Sequence, residues 1–131
     1  MKRLTPAYLI FTAIFFLLPI EFAVSQVSED VVVIVNKSVQ ENSLPSNTIK
    51  NIFLGKKSVW DNGQKVEFLI LNSGDIHEVF LKKYVNKTVS QFSSYWIKQV
   101  FTGKGKSPKS FDSESALVKY VSTQDGAIGY V

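Results

Sequence analysis

The chain has 131 residues, no cysteine and a formal charge of +4 at pH 7. Without cysteine it is neither a disulfide-stapled secreted domain nor a lipoprotein anchored through a lipid-modified cysteine. The charge is mild and mixed in sign, which suits a small anion better than nucleic acid, whose partners usually carry a concentrated basic face.

Lys2 and Arg3 open the chain, and 7–20 is an apolar stretch of 14 residues broken by Thr12 and Pro19. Ala23-Val24-Ser25 then places small residues three and one positions before Gln26. This layout predicts a secretory signal peptide over 1–25, cut after Ser25, and hence a periplasmic protein. The other reading is a retained membrane anchor. Its apolar run is short of the roughly 20 residues a span needs, and Pro19 and Glu21 interrupt its end. Residues 26–131, 106 in number, then form one domain with one core. Setting aside Lys2, Arg3 and Glu21 leaves 13 basic and 10 acidic residues.

Val31 to Val35 is a run of five β-branched residues. It predicts a strand buried on both faces, as in a parallel sheet covered by helices. After a polar loop, a helix starts near Leu44-Pro45-Ser46, with Ser43 or Ser46 available to cap it. Ile49, Ile52 and Phe53 form its buried stripe. Gly55 ends it, and Lys56 and Lys57 follow at the negative end of its dipole. Val59 and Trp60 supply an apolar anchor before the Asn62-Gly63 turn.

Val66 to Leu71 reads as a second, largely buried strand. Asn72-Ser73-Gly74-Asp75 then turns into a helix with Ile76, Val79, Phe80 and Tyr84 on one face. Thr88 or Asn86 caps a third helix, whose stripe is Val89, Phe92, Trp96 and Val100. Gly103 to Pro108 is a flexible basic loop. Asp112 or Ser113 begins a fourth helix with Leu117, Tyr120 and Val121 inward, and Gly126 to Val131 closes the chain as a short strand. Strands alternating with helices predict an α/β fold in three layers. Phe53, Trp60, Phe68, Phe80, Tyr84, Phe92, Tyr95, Trp96 and Phe101 are spaced as core residues.

The strongest candidate for chemistry is the turn Asn72-Ser73-Gly74-Asp75, where a helix N-terminus could present free N–H groups to an anion. The plainer reading is that Ser73 or Asp75 caps the helix from within. Gly105-Lys106-Ser107 looks like the tail of a phosphate loop, but Val100 stands where that motif needs glycine. The loop reads as a solvated connector, with Lys104, Lys106 and Lys109 as long-range attractors of anions. His77 is the lone histidine. His77-Glu78 begins like a zinc-protease motif, but Leu81 replaces the second histidine, so a surface position is expected. No nucleophile-elbow motif is present. The sequence therefore argues for no enzyme, no cofactor and no metal.

Leu44, Ile49, Ile52-Phe53-Leu54-Gly55, Trp60 and Gly63, with Phe80, Tyr95-Trp96, Phe101, Gly103 and the terminal Gly126-Ala127-Ile128-Gly129-Tyr130-Val131, form a pattern over about 30–131. It resembles the phosphate-specific periplasmic substrate-binding proteins, most closely their small single-domain relatives. The resemblance implies one lobe of the type II periplasmic-binding-protein fold, a mixed sheet flanked by helices. In full-length relatives an Arg-x-x-Ser-Gly-Thr motif wraps phosphate at a helix N-terminus. Ser73 and Gly74 match its serine and glycine; Asp75 stands in place of the threonine, and no arginine lies nearby. The implied ligand is inorganic phosphate or a similar oxyanion, held by Asn72, Ser73, Gly74 and Asp75. The implied partner is a phosphate ABC transporter or a sensor. A single lobe leaves such a ligand half exposed, so a homodimer or a partner protein would have to complete the site. The alternative function is a ligand-free interaction module of the cell envelope with the same fold.

Overall fold

A computed structural model describes residues 30–131. The expected signal peptide over 1–25 lies outside the described residues. Among the described residues, no helix is long and apolar enough to cross a membrane.

The domain is a mixed α/β structure with four strands, four α-helices and a π-helical turn. In chain order these are β1 Val33–Val35, α1 Ser46–Phe53, β2 Glu67–Leu71, α2 Asp75–Phe80, the π-turn Leu81–Val85, α3 Val89–Phe101, β3 Lys109–Phe111, α4 Glu114–Thr123 and β4 Ala127–Tyr130. The sheet order is β1-β4-β2-β3. β2 pairs in parallel with both β4 and β3, while β1 pairs antiparallel with β4.

Expectation and structure part at β1. Val32 and Val35 are exposed and Val33 and Ile34 only half-buried, because β1 lies at the sheet edge and pairs on one side alone. The continuously buried strand is β4, in which all four residues are buried. Its two faces meet different helices. A Cβ on Gly129 would lie 2.6 Å from Leu117 Cδ2 and 3.3 Å from Val121 Cγ2, so one face rests directly on α4. The neighbouring Tyr130 stacks on Phe80 of α2 at 3.8 Å between ring centroids and lies 5.9 Å from Phe53 of α1. Helices therefore cover both faces.

α1 ends as its sequence predicts. Gly55 adopts φ +72°, its N–H donates to Ile52 O at 3.0 Å, and Lys56 N–H donates to Asn51 O at 2.8 Å. This pair of bonds is the Schellman closure, which satisfies carbonyls the helix leaves orphaned. Two more C-terminal carbonyls are met by α3. Trp96 Nε1 donates to Phe53 O at 3.1 Å, and Tyr95 Oη donates to Leu54 O at 2.7 Å. The start of α1 is less well served. Its N-cap is Pro45, and neither Ser43 nor Ser46 caps it. Thr88 caps α3 in a reciprocal box with Gln91, and Ser113 caps α4.

The loop between α1 and β2 folds back through the Asn62-Gly63 turn. Trp60 and Gln64 pair across it, with Trp60 N–H donating to Gln64 O at 2.7 Å. Trp60 is buried, whereas Val59 beside it is half exposed, so the indole alone is the anchor. Trp60 Nε1 donates to Gly126 O at 2.9 Å, tying this loop to the start of β4. Gly126 packs against the Lys65 backbone and the Gln64 side chain. It has φ +74°, and a Cβ there would stand 2.2 Å from the Lys65 carbonyl oxygen. Gly63 also has positive φ, at +84°, but faces open space.

These two glycines separate backbone strain from steric conflict. Gly63→Ala should cost about 1 kcal/mol, the ordinary penalty for a left-handed non-glycine residue. Gly126→Ala should cost roughly 3 kcal/mol or more, because a backbone oxygen must also move. Urea denaturation of the two variants checks the order; equal losses would refute the close contact at Gly126.

Candidate functional site

The turn singled out by the sequence lies where β2 gives way to α2. Gly74 takes φ +103° at the N-cap, and no side chain caps the helix. Neither Ser73 nor Asp75 plays the capping role that was the plainer expectation. Asn72, Ser73, Gly74 and Asp75 are all exposed. They do not converge as one ligand shell. Asn72 N–H donates to Phe111 O at 2.9 Å, and its Nδ2 donates to Asp112 Oδ1. Asn72 thus joins β2 to β3. Ser73, Gly74 and Asp75 border a shallow depression of about 390 Å³ shared with Asp112, Ser113 and Glu114. Three carboxylates ring the place an oxyanion would occupy, and they oppose the attraction of the helix start.

His77, expected on the surface, is 3% exposed. Its Nδ1 lies 2.6 Å from Tyr130 Oη, which accepts the Leu71 N–H at 3.0 Å. With Leu71 as its donor, the Tyr130 hydroxyl keeps a proton to give to Nδ1, which accepts it in the neutral tautomer that carries its own proton on Nε2. Burial lowers the His77 pKa below its ordinary 6.5. Burial also raises the Tyr130 pKa, opposed by the Leu71 N–H. The surface expectation rested on residue type, whereas the segment is covered on more than one side. The expected face does pack inward, with Phe80 buried and Ile76, Val79 and Tyr84 half-buried against the core, but His77 and, in the π-turn, Leu81 and Val85 are buried as well.

His77 also lines an open groove of about 530 Å³ between α3 and the edge strand β3. Ile70, Phe92 and Trp96 contribute its apolar floor, and Ile97, Val100 and Phe101 its outer wall. These outer residues are conspicuous. Phe101, expected in the core, is 91% exposed, and Ile97 is 67% exposed. Val89 and Val100, expected on the buried stripe, are exposed too. Only Phe92 and Trp96 of α3 are buried, with Tyr95 half-buried at the carbonyls of α1. The signal was in the sequence: α3 carries apolar residues over more of its circumference than one buried stripe can use.

The basic loop after α3 folds back against that helix. A Cβ on Gly105 would lie 2.9 Å from Trp96 Cζ3, so the backbone is laid directly on the indole. Lys109 is held by Tyr120. Its Nζ donates to Tyr120 Oη at 3.1 Å and lies 4.3 Å from the ring centroid. Lys104 and Lys106 remain exposed. Among the described residues, no group of three or more histidine, aspartate or glutamate side chains could hold a metal ion.

Compared with known proteins, the chain matches no protein-family model and no curated protein.

The buried histidine sets a pH dependence. A folded-state pKa below 6.5 means that the unfolded chain binds the proton first as pH falls. Stability from this group is full above pH 6.5 and declines as the pH drops from there to the folded pKa. His77→Asn, which keeps an acceptor for Tyr130 but does not titrate, should flatten that decline. Urea midpoints at pH 7.5 and pH 5.5, flanking the ordinary value by about one unit, test it; a parent and variant with the same fall would refute the role of His77.

Proposed function

We propose that the chain is a protein-binding module of the cell envelope, built on one lobe of the type II periplasmic-binding-protein fold. Its working surface is the outer face of α3 with the adjoining groove. The observation that carries this reading is the exposure of Phe101 and Ile97 on one face of an ordered helix, at 91% and 67%. Large exposed apolar groups clustered beside a groove are what docking surfaces present, whereas scattered single residues need no explanation. The envelope setting rests on the N-terminal layout of the sequence. The fold assignment rests on the resemblance, to which the mixed sheet with helices on both faces conforms.

The oxyanion reading has one observation in its favour, the uncapped start of α2 at Gly74. Against it stand Asp75, Asp112 and Glu114 around the depression, and the engagement of Asn72 in joining two strands. A dianion at this place would meet like charges at short range, which costs more than one short helix start returns.

Replacing both Ile97 and Phe101 by serine separates docking from folding. As exposed positions, they should leave stability within about 0.5 kcal/mol. The same pair should abolish any complex that the wild-type chain forms on chemical cross-linking in envelope extract. Calorimetric heat with millimolar phosphate, lost in Ser73→Trp but kept in the Ile97/Phe101 variant, would overturn this reading in favour of the oxyanion receptor.

A further inference from the structure

We infer that the occupant of the α3 face is a second copy of the same chain, packed antiparallel through α3 about a two-fold axis. This rests on the docking reading above and names its partner. An isologous pair needs a surface complementary to itself, so that each feature meets its opposite when the helix is reversed. The outer face of α3 meets that condition in shape. Its C-terminal half carries Ile97, Val100 and Phe101, bulky and exposed. Its N-terminal half carries Ser90, Ser93 and Ser94, small and exposed. Reversal lays the bulky half of each copy on the small half of the other.

The groove adds a hole to match the knob. Phe101 projects from the last turn of α3, while Asn72, His77 and Val89 line the groove toward the first turn. In the antiparallel arrangement the Phe101 ring of each copy enters the groove of the other, against Phe92 and Ile70. Both rings leave water, and aromatic pairs gain further from edge-to-face or offset contact.

Charge is arranged the same way. Lys104 and Lys106 are exposed just beyond Phe101. Beyond the opposite end of the groove, Asn72 donates to Asp112, and Asp75 and Glu114 border the same depression. Reversal brings the lysines of one copy toward the carboxylates of the other, twice over. Lys87, near the first turn of α3, is drawn over the Tyr95 ring at 5.6 Å and Lys83 over the Tyr84 ring at 5.3 Å, which leaves Lys82 of these three without an aromatic partner. The carboxylates that weaken an oxyanion site thus become assets, since complementary potentials fix register and speed encounter.

Sedimentation velocity of the purified chain, over a series from micromolar to millimolar, tests the proposal. The wild type should pass from monomer to dimer with rising concentration. Phe101→Glu should weaken the dimer by roughly 30-fold or more, as for a central anchor residue. Lys104→Glu with Lys106→Glu should weaken it by about 10-fold. Adding Asp75→Lys and Glu114→Lys to that pair should restore it, a rescue that altered folding would not produce. A wild type that stays monomeric, a dimer indifferent to Phe101→Glu, or reversed charges without rescue would overturn the proposal. A monomeric wild type that still cross-links to another envelope protein through Ile97 and Phe101 removes the second copy and leaves the docking face standing. Loss of both removes both.

Discussion

The orientation of α3 depends on one junction. Trp96 and Tyr95, adjacent in sequence, donate to the carbonyls of Phe53 and Leu54 at the end of α1. A helix C-terminus leaves carbonyls without internal partners, and burying them unpaired would cost about 1–3 kcal/mol each. The same indole is crowded by two backbones. A Cβ on Gly55 would lie 2.7 Å from Trp96 Cη2, and Gly105 approaches the other side of the six-membered ring almost as closely. With Trp96 fixed by a hydrogen bond and two glycines, the rotation of α3 about its axis is fixed as well. Ile97, Val100 and Phe101 are thereby committed to the outside. Their exposure follows from that contact.

Inside, the aromatic side chains form a connected core. Phe53 contacts Phe68 and Phe80 edge-on at 5.3 and 4.7 Å, and Phe80 lies flat on Tyr130 at 3.8 Å. Tyr130 carries a hydroxyl into this core, which would be costly without partners. Leu71 N–H and His77 Nδ1 supply them. One short chain of hydrogen bonds therefore crosses from β2 through β4 to α2, satisfying three polar groups where water is scarce. Trp60 and Gly126 do similar work at the far end of β4, where a side-chain donor in a loop meets the carbonyl just before the closing strand.

Much of this was legible in residue patterns. Gly55 after an apolar stripe and Asn62-Gly63 each specify a local geometry with few alternatives and appear as expected, and of the two expected caps of α3, Thr88 and Asn86, Thr88 takes the role. The residues read wrongly fail for identifiable reasons. Five β-branched residues do not reveal whether their strand has a neighbour on one side or two, so the edge position of β1 was hidden. His77 was misplaced because its partner, the Tyr130 hydroxyl, is 53 residues away in sequence and gives no local sign. Phe101 was assigned inward with the other aromatics on their spacing, although Phe92 and Trp96 already fill the buried side of α3. The confinement of Gly126 could not be read at all, since the carbonyl that excludes a side chain belongs to Lys65.

The candidate site shifts for an electrostatic reason that linear sequence conceals. Asp75 lies within the glycine turn, but Asp112 and Glu114 are distant in sequence and arrive there because β3 pairs beside β2. The parallel register that sets Phe111 opposite Leu71 necessarily brings the chain just after β3 to the mouth of the turn after β2. A serine-glycine turn that suits an anion when read alone is thus built into an acidic rim when read in the sheet. The acid-free run from Val79 to Phe111 carries the apolar residues and the lysines instead. Sheet pairing therefore sorts the chain into an acidic edge at the strand ends and an apolar face on α3 with lysines in the loop beyond its C-terminus. Such a division weakens the capture of a small anion at the turn and strengthens recognition of a surface bearing the complementary pattern.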